Sequence, residues 1–277
     1  MESVREDIGD IMKLSISNIA WDKSFDIEMY QFLENNQIDG IEIAPTRIFE
    51  GKPYDRLNEA KDFSRTLKEK YNLSISSMQS IWYGREEKVF GSKEERKRLV
   101  EYTKKAFEFA NVIGCKNLVF GCPKNRNIDG TDDIQNIEID FFGTLADIAK
   151  ENNTVLAIEA NPKIYNTNYI NYTKQAFELV NKISKVGIAV NLDVGTILQN
   201  GEQYIVSEIN VDAINHVHFS RPFLEFVEME DFDKVVINKL NSDKYNKYVS
   251  IEMKNCNDIK RVKNTVIDFK KLMEINK

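Results

Sequence analysis

The chain has 277 residues, 42% of them hydrophobic, with a formal net charge of −6 and a pI near 5.3. That length admits one large domain or two small ones, and the apolar share supports a sizeable core. Lys and Arg alternate with Glu in stretches such as KEERKRLVEYTKK, so the chain lacks the basic patch on which nucleic-acid binding depends. No apolar run approaches the roughly 20 residues of a membrane span. The opening MESVREDIGD is acidic, unlike a signal peptide. Cys115, Cys122 and Cys256 form no C-x-x-C pair, which fits a cytoplasmic protein.

Short β-branched runs alternate with longer amphipathic stretches along the whole sequence. In chain order, the pattern predicts a strand at Leu14–Ile19 and a helix at Asp26–Asn35, then Gly40–Ala44 with Tyr54–Lys70. Strand Leu73–Gln79 precedes helix Lys93–Ile113, and Asn117–Gly121 precedes Ile134–Asn152. The second half continues with Val155–Ala160 and Thr173–Lys182, Gly187–Asp193 and Glu202–Glu208, Ala213–Ser220 and Asp231–Lys239, and Tyr248–Met253 and Asp258–Ile275. Asp129–Gly130 and Asn200–Gly201 mark turns. No linker or low-complexity block interrupts the series, so residues 1–277 read as one domain, with 1–12 as an N-terminal extension.

Eight strand–helix pairs fit a closed (β/α)₈ barrel, which needs about 250 residues. The alternative is an open doubly wound sheet, which usually carries G-x-G-x-x-G or G-x-x-x-x-G-K-[ST] after its first strand. Here that strand runs into SNIAW, and the chain has only 12 glycines.

In a barrel, side chains alternate between helix-facing and lumen-facing, and the active site lies at the C-terminal strand ends. Apolar Leu156 and Ile158 in strand five, and Ile188, Val190 and Leu192 in strand six, take the outward parity. So do Val217 and Phe219 in strand seven and Val249, Ile251 and Met253 in strand eight. Glu159, Asp193, His218 and Glu252 then point inward at the same end of the lumen, with His216 deeper. Three carboxylates in a semi-enclosed lumen repel one another unless a cation compensates them. A divalent ion does so and accepts His218 as a nitrogen ligand. The oxygen-rich set suits Mn²⁺, Mg²⁺ or Co²⁺, with Zn²⁺ also compatible.

The segments IEANP, NLDVG, HVHFS and VSIEMK resemble the last four strand ends of the sugar isomerase/epimerase family built on the xylose-isomerase-like TIM barrel. GIEIAP at strand two resembles that family's G-x-E element, so the resemblance spans nearly the whole chain. It implies one divalent metal on a glutamate, an aspartate, a histidine and a second glutamate, corresponding here to Glu159, Asp193, His218 and Glu252. In the ketose 3-epimerase members the two glutamates also serve as the acid/base pair, which gives Glu159 and Glu252 catalytic roles. The chemistry implied is proton abstraction next to a carbonyl, as epimerisation or isomerisation. Two departures stand out. The histidine that those epimerases carry shortly after the strand-six aspartate is replaced by Thr196 and Ile197, and their additional glutamate after strand five by Lys163, Ile164 and Tyr165. A phosphorylated, carboxylated or otherwise modified sugar, or an inositol derivative, is thus as compatible as a free ketose.

Around the mouth, Glu42 faces inward and is a candidate for a substrate hydroxyl or an Arg. Trp21 and Trp82 are candidates to wall the pocket against an apolar sugar face. Gln79 and Asn161 are further candidate contacts, although Gln79 has ambiguous parity because neither register of SISSMQS is cleanly apolar. Lys163, Arg221 and Lys254 are candidates to hold a substrate anion. The partner expected is a small sugar or sugar derivative, and self-association into a homo-oligomer stays open. Three other functions compete: an inosose-type dehydratase, a non-catalytic sugar-binding barrel, and an abasic-site endonuclease. The last uses a histidine-rich trinuclear zinc cluster in the same superfamily, and this chain has two histidines.

Overall fold

The computed structural model describes residues 11–130 and 133–275. Eight parallel strands close on themselves in sequence order: β1 Lys13–Ser17, β2 Gly40–Ile43, β3 Ser74–Met78, β4 Leu118–Phe120, β5 Leu156–Glu159, β6 Ile188–Asp193, β7 Ile214–Phe219 and β8 Tyr248–Ile251. Closure is made by β8 against β1, with Ser250 opposite Ser15. The outer layer comprises α1 Asp26–Asn35, α2 Pro45–Ile48, α3 Leu57–Tyr71, α4 Lys93–Ile113, α5 Ile134–Glu151, α6 Thr173–Ile183, α7 Val194–Asn200, α8 Asp231–Ser242 and α9 Ile259–Ile275. The expected (β/α)₈ architecture is the one observed. Residues 1–10 of the expected N-terminal extension lie outside the described residues, while Met12 is already buried in the core.

The local chemistry explains the elements. Helix α4 opens with a capping box: the Ser92 hydroxyl accepts the Glu95 amide at 3.2 Å, and the Glu95 carboxylate accepts the Ser92 amide at 2.8 Å. It stops at Gly114, whose φ of +73° terminates the helix in the left-handed region. The outward side chains of the later strands, including Ile158, Leu192, Val217, Phe219 and Ile251, are fully buried against this layer. Each such side chain contributes roughly 2 kcal/mol of hydrophobic stabilisation. The lumen is polar and small-residue instead, with Ser15, Ser17, Ser77, Ala157 and Ser250 filling its base.

One expectation is corrected. The helix expected at Glu202–Glu208 is a 3₁₀ turn at Gln203–Ser207, and the helix of that unit is α7, which starts directly after β6. The cause is capping: the Asp193 side chain accepts the Thr196 amide at 2.5 Å and nucleates a helix that Gly201 ends at φ +67°. The ambiguous parity of Gln79 also has a physical origin. Between Ile41 and Glu42 the β2–β3 register shifts, pairing Ile41 with Ile75 and Glu42 with Ser77. A bulge at Ser76 thus changes the facing of the strand midway, and no single period fits SISSMQS. Among the described residues no helix is long and apolar enough to cross a membrane.

Candidate metal centre and active site

Each strand end delivers its group as the parity reading expected. Glu159 closes β5, Asp193 closes β6, His218 is the penultimate residue of β7, and Glu252 follows β8. Register places Glu159 beside Asn191 and Asp193 beside His218. Ligand atoms of Glu159, Asp193, His218 and Glu252 all lie within 4.8 Å of one another. His218 Nδ1 sits 2.9 Å from Glu159 Oε1 and 3.2 Å from Glu252 Oε2. Gly121 admits this packing, because a Cβ there would lie 2.8 Å from Glu159 Oε2.

The surroundings fix each group differently. Glu159 is oriented by two amides, Asn191 Nδ2 at 2.7 Å on one oxygen and Asn161 Nδ2 at 3.0 Å on the other. Asp193 accepts from Thr196 N–H on one oxygen and from the Ser220 hydroxyl, at 2.6 Å, on the other. Among the described residues, Glu252 is held within the cluster by the contact with His218. Burial pushes the Asp193 carboxyl up to about 6, with Glu159 adding to the rise. Burial likewise pushes Glu252 up to about 7 against the opposing charge of His218. Burial would lower His218, but Glu252, Glu42 and Glu159 together hold it well above the usual imidazole value.

Beneath the cluster lies a group that sequence reading placed at the mouth. Glu42 is fully buried and accepts from His218 Nε2 at 2.7 Å and from Gln79 Nε2 at 3.0 Å. Although burial raises it, the charge of His218 brings its carboxyl down to about 2. An ionised carboxylate only accepts, so His218 carries a proton on Nε2; with its value held well above the imidazole range, Nδ1 is protonated too and donates to the carboxylates, and a divalent ion would take the place of that Nδ1 proton. Glu42 is therefore a partner of the histidine and does not reach a substrate hydroxyl. Replacing it by Gln should weaken Mn²⁺ binding about 10- to 100-fold, as loss of such histidine partners typically does. Isothermal titration of the variant measures this, and unchanged affinity would remove Glu42 from the site. His216 lies deeper, 3.5 Å from Glu42 and 2.9 Å from the Ser250 hydroxyl, and burial pushes it down to about 3.

The residues present fit a divalent cation. Three carboxylates and one imidazole nitrogen converge, and among the described residues no Lys or Arg pairs with those carboxylates. Arg126, fully buried behind the site, donates instead to the backbone carbonyls of Glu159 at 2.7 Å and Ile170 at 3.0 Å. Nothing in the spacing of CPKNR signalled this arginine, because its burial depends on the loop after β5 folding over it.

A cavity of about 510 Å³ opens onto Glu159, Asp193 and Glu252. Of the candidate contacts, Gln79, Trp82 and Asn161 line it. The indole N–H of Trp82 is tied to Thr103 at 2.8 Å. Trp21, Lys163, Arg221 and Lys254 do not line it. Trp21 turns its indole N–H to Asp26 at 2.8 Å and is buried against the barrel. Arg221 is buried in an ion pair with Asp233 at 2.6 Å, and Lys254 pairs with Glu225 on the surface. Lys163 projects outward from the turn after β5. Arg221 finds its carboxylate on α8 and Lys254 on the loop after β7, which a reading of strand ends alone does not reveal. A larger cleft, about 930 Å³, lies against α4 and is lined by mixed acidic and basic side chains.

The fold and the cluster define a (β/α)₈ barrel with a candidate divalent-metal site at its catalytic end. More narrowly, the profile of the xylose isomerase-like TIM barrel family matches residues 31–273, and the chain belongs to that family. No curated protein matches the chain by sequence. Among solved structures, the chain is similar to the 3-keto-D-glucoside 4-epimerase of E. coli, with a TM-score of 0.72 and 16% identity over 93% of this chain and 98% of that one. It is similar also to a D-psicose 3-epimerase crystallised in the presence of D-fructose, at 0.76 and 13% over 95% and 99%. A family 2 AP endonuclease from Brucella melitensis gives 0.74 and 16% over 94% and 99%. At these identities the likeness is one of fold.

Proposed function

We propose that the protein is a divalent-metal-dependent isomerase or epimerase of a sugar or sugar derivative. The observation that carries this reading is the convergence of Glu159, Asp193, His218 and Glu252 beside a cavity at the catalytic end of the barrel. The named activities of the 3-keto-D-glucoside and D-psicose epimerases support it. Against an endonuclease stand the net charge of −6 and a total of two histidines, one of them outside the four-residue cluster.

When bound, a divalent ion polarises a substrate carbonyl and offsets the negative charge that develops on its oxygen. Asp193, with both oxygens engaged by neighbouring donors, suits the fixed role of a ligand. Glu252 meets His218 Nδ1 at 3.2 Å and, among the described residues, no backbone or hydroxyl donor, which suits it to give or take a proton. Glu159, oriented by Asn161 and Asn191, provides the second carboxylate. In an epimerisation one glutamate takes the proton from carbon and the other returns it to the opposite face.

The test is wash-in of deuterium from deuterium oxide into ketoses, keto-glycosides, sugar phosphates and sugar acids, read by mass spectrometry. Metal-dependent incorporation at a carbon next to a carbonyl is the expected result. Failure of every compound class with Mn²⁺-loaded protein overturns the proposal. Exchange accompanied by loss of water would identify a dehydratase instead.

A further inference from the structure

The wall of the cavity contains a phenol that the proton-transfer scheme does not use. Tyr165 ends the 3₁₀ turn Lys163–Tyr165 after β5 and lines the cavity together with Glu159, Asp193 and Glu252. Its hydroxyl oxygen accepts the Phe223 backbone N–H at 2.8 Å, and the two rings meet edge-on at 6.1 Å. The acceptor side of the hydroxyl is thus taken by protein. Among the described residues no protein acceptor takes its hydrogen. Burial, with Asp193, Glu252 and Glu159 nearby, pushes the phenol up to about 12, so it keeps that hydrogen at any working pH.

A second observation comes from the other side of this bridge. Phe223 and Leu224 are successive non-glycine residues at φ +60° and +53°. Such conformations are strained and persist where their surroundings over-determine them. Here the flanking Arg221 is locked to Asp233, and Leu224 O accepts the Lys254 amide at 2.9 Å. Leu224 itself lines the cavity. The strain is concentrated in the turn that aims an N–H at Tyr165.

We infer that Tyr165 is a substrate-contacting, specificity-determining residue, held by the Phe223–Leu224 turn so that its hydroxyl donates to an oxygen of the bound sugar. This inference rests on the sugar reading of the cavity. Because Phe223 N–H already engages the oxygen, the hydrogen is the polar atom that Tyr165 has free for the cavity. The group it meets is therefore an acceptor: a carbonyl, hydroxyl, ether or anionic oxygen.

Tyr165→Phe removes the hydroxyl and keeps the ring and its contact with Phe223. Mn²⁺-loaded wild type and variant are titrated with D-psicose, D-fructose, D-tagatose, ketohexose phosphates and sugar acids, reading binding from the water-proton relaxation of the ion. We expect the Kd of a bound sugar to rise about 3- to 10-fold, the size of one neutral hydrogen bond. The Mn²⁺ Kd should stay within about twofold, since Tyr165 is no ligand. An unchanged sugar Kd overturns the inference while leaving the sugar reading intact. A parallel loss of Mn²⁺ affinity and melting temperature also overturns it, by showing a structural role. If wild type binds none of these compounds, the sugar reading itself fails and the inference with it.

Discussion

Glu252→Gln and Glu159→Gln should each lower turnover on a verified substrate by about 10²- to 10⁴-fold, the usual worth of a positioned acid or base. Glutamine keeps the size of the side chain and one oxygen that can remain near an ion, so part of the metal affinity survives. The two variants should fail differently if the reaction is a two-base epimerisation. One still exchanges the carbon-bound proton of the substrate epimer with deuterium oxide, the other that of the product. Asp193→Asn, by contrast, should act mainly on metal content, because Thr196 and Ser220 occupy both oxygens of Asp193. Near-normal turnover in both glutamine variants would leave the cluster structural and move the chemistry elsewhere in the mouth.

Chelation should destabilise Mn²⁺-loaded protein, and the loss should grow with pH. At free ion about 100-fold above Kd, linkage stabilises the fold by about 2.7 kcal/mol. For a chain of this size that is roughly 5–10 °C in Tm. The pH dependence follows from where protons sit in the ion-free fold. Asp193 and Glu252 hold theirs to about 6 and 7, against ordinary values of 3.8 and 4.5. Between those limits the folded chain binds protons that the unfolded chain has released, so ion-free stability falls as pH rises, by on the order of 3 kcal/mol for each group taken singly. His218 acts in the same sense: its raised value gives stabilisation that is full below about 6.5 and is lost as pH climbs through the folded value. Glu42 acts oppositely at the acid end, where stability present above about 4.5 is lost as pH falls towards 2. A divalent ion replaces the shared protons, so the Tm gap between Mn²⁺ and EDTA should widen from about pH 5 to about pH 8. A gap that is constant or narrows would refute the charge argument. Asp193→Asn combined with His218→Ala should abolish both the gap and stoichiometric metal in elemental analysis.

Much of this was legible along the chain because barrels repeat a simple rule. Outward apolar residues such as Ile158, Leu192, Val217 and Ile251 fix the facing of each strand, and the alternation then forces Glu159, Asp193, His218 and Glu252 towards one end of the lumen. The strand count, the closed architecture and the four-residue cluster follow from local pattern, since each requires only the residues of one strand and its immediate neighbours. The position of α7 did not follow, because an aspartate at a strand end serves as ligand candidate and helix cap at once.

Tertiary structure decided the rest. The bulge at Ser76 turns Gln79 towards Glu42, and Glu42 towards a histidine on β7, five strands away in the chain. Arg221 and Lys254 looked available at strand ends and are consumed by Asp233 and Glu225. Arg126 carried no sequence signal, and Tyr165 stood out only as part of a departure from the family pattern, yet one braces the Glu159 backbone and the other faces the cavity. The physical reason is common to all of them. Periodicity specifies which side of a strand a residue takes, whereas the partner of a long polar side chain is set by which loops meet above the barrel, and those meetings are made by residues far apart in sequence.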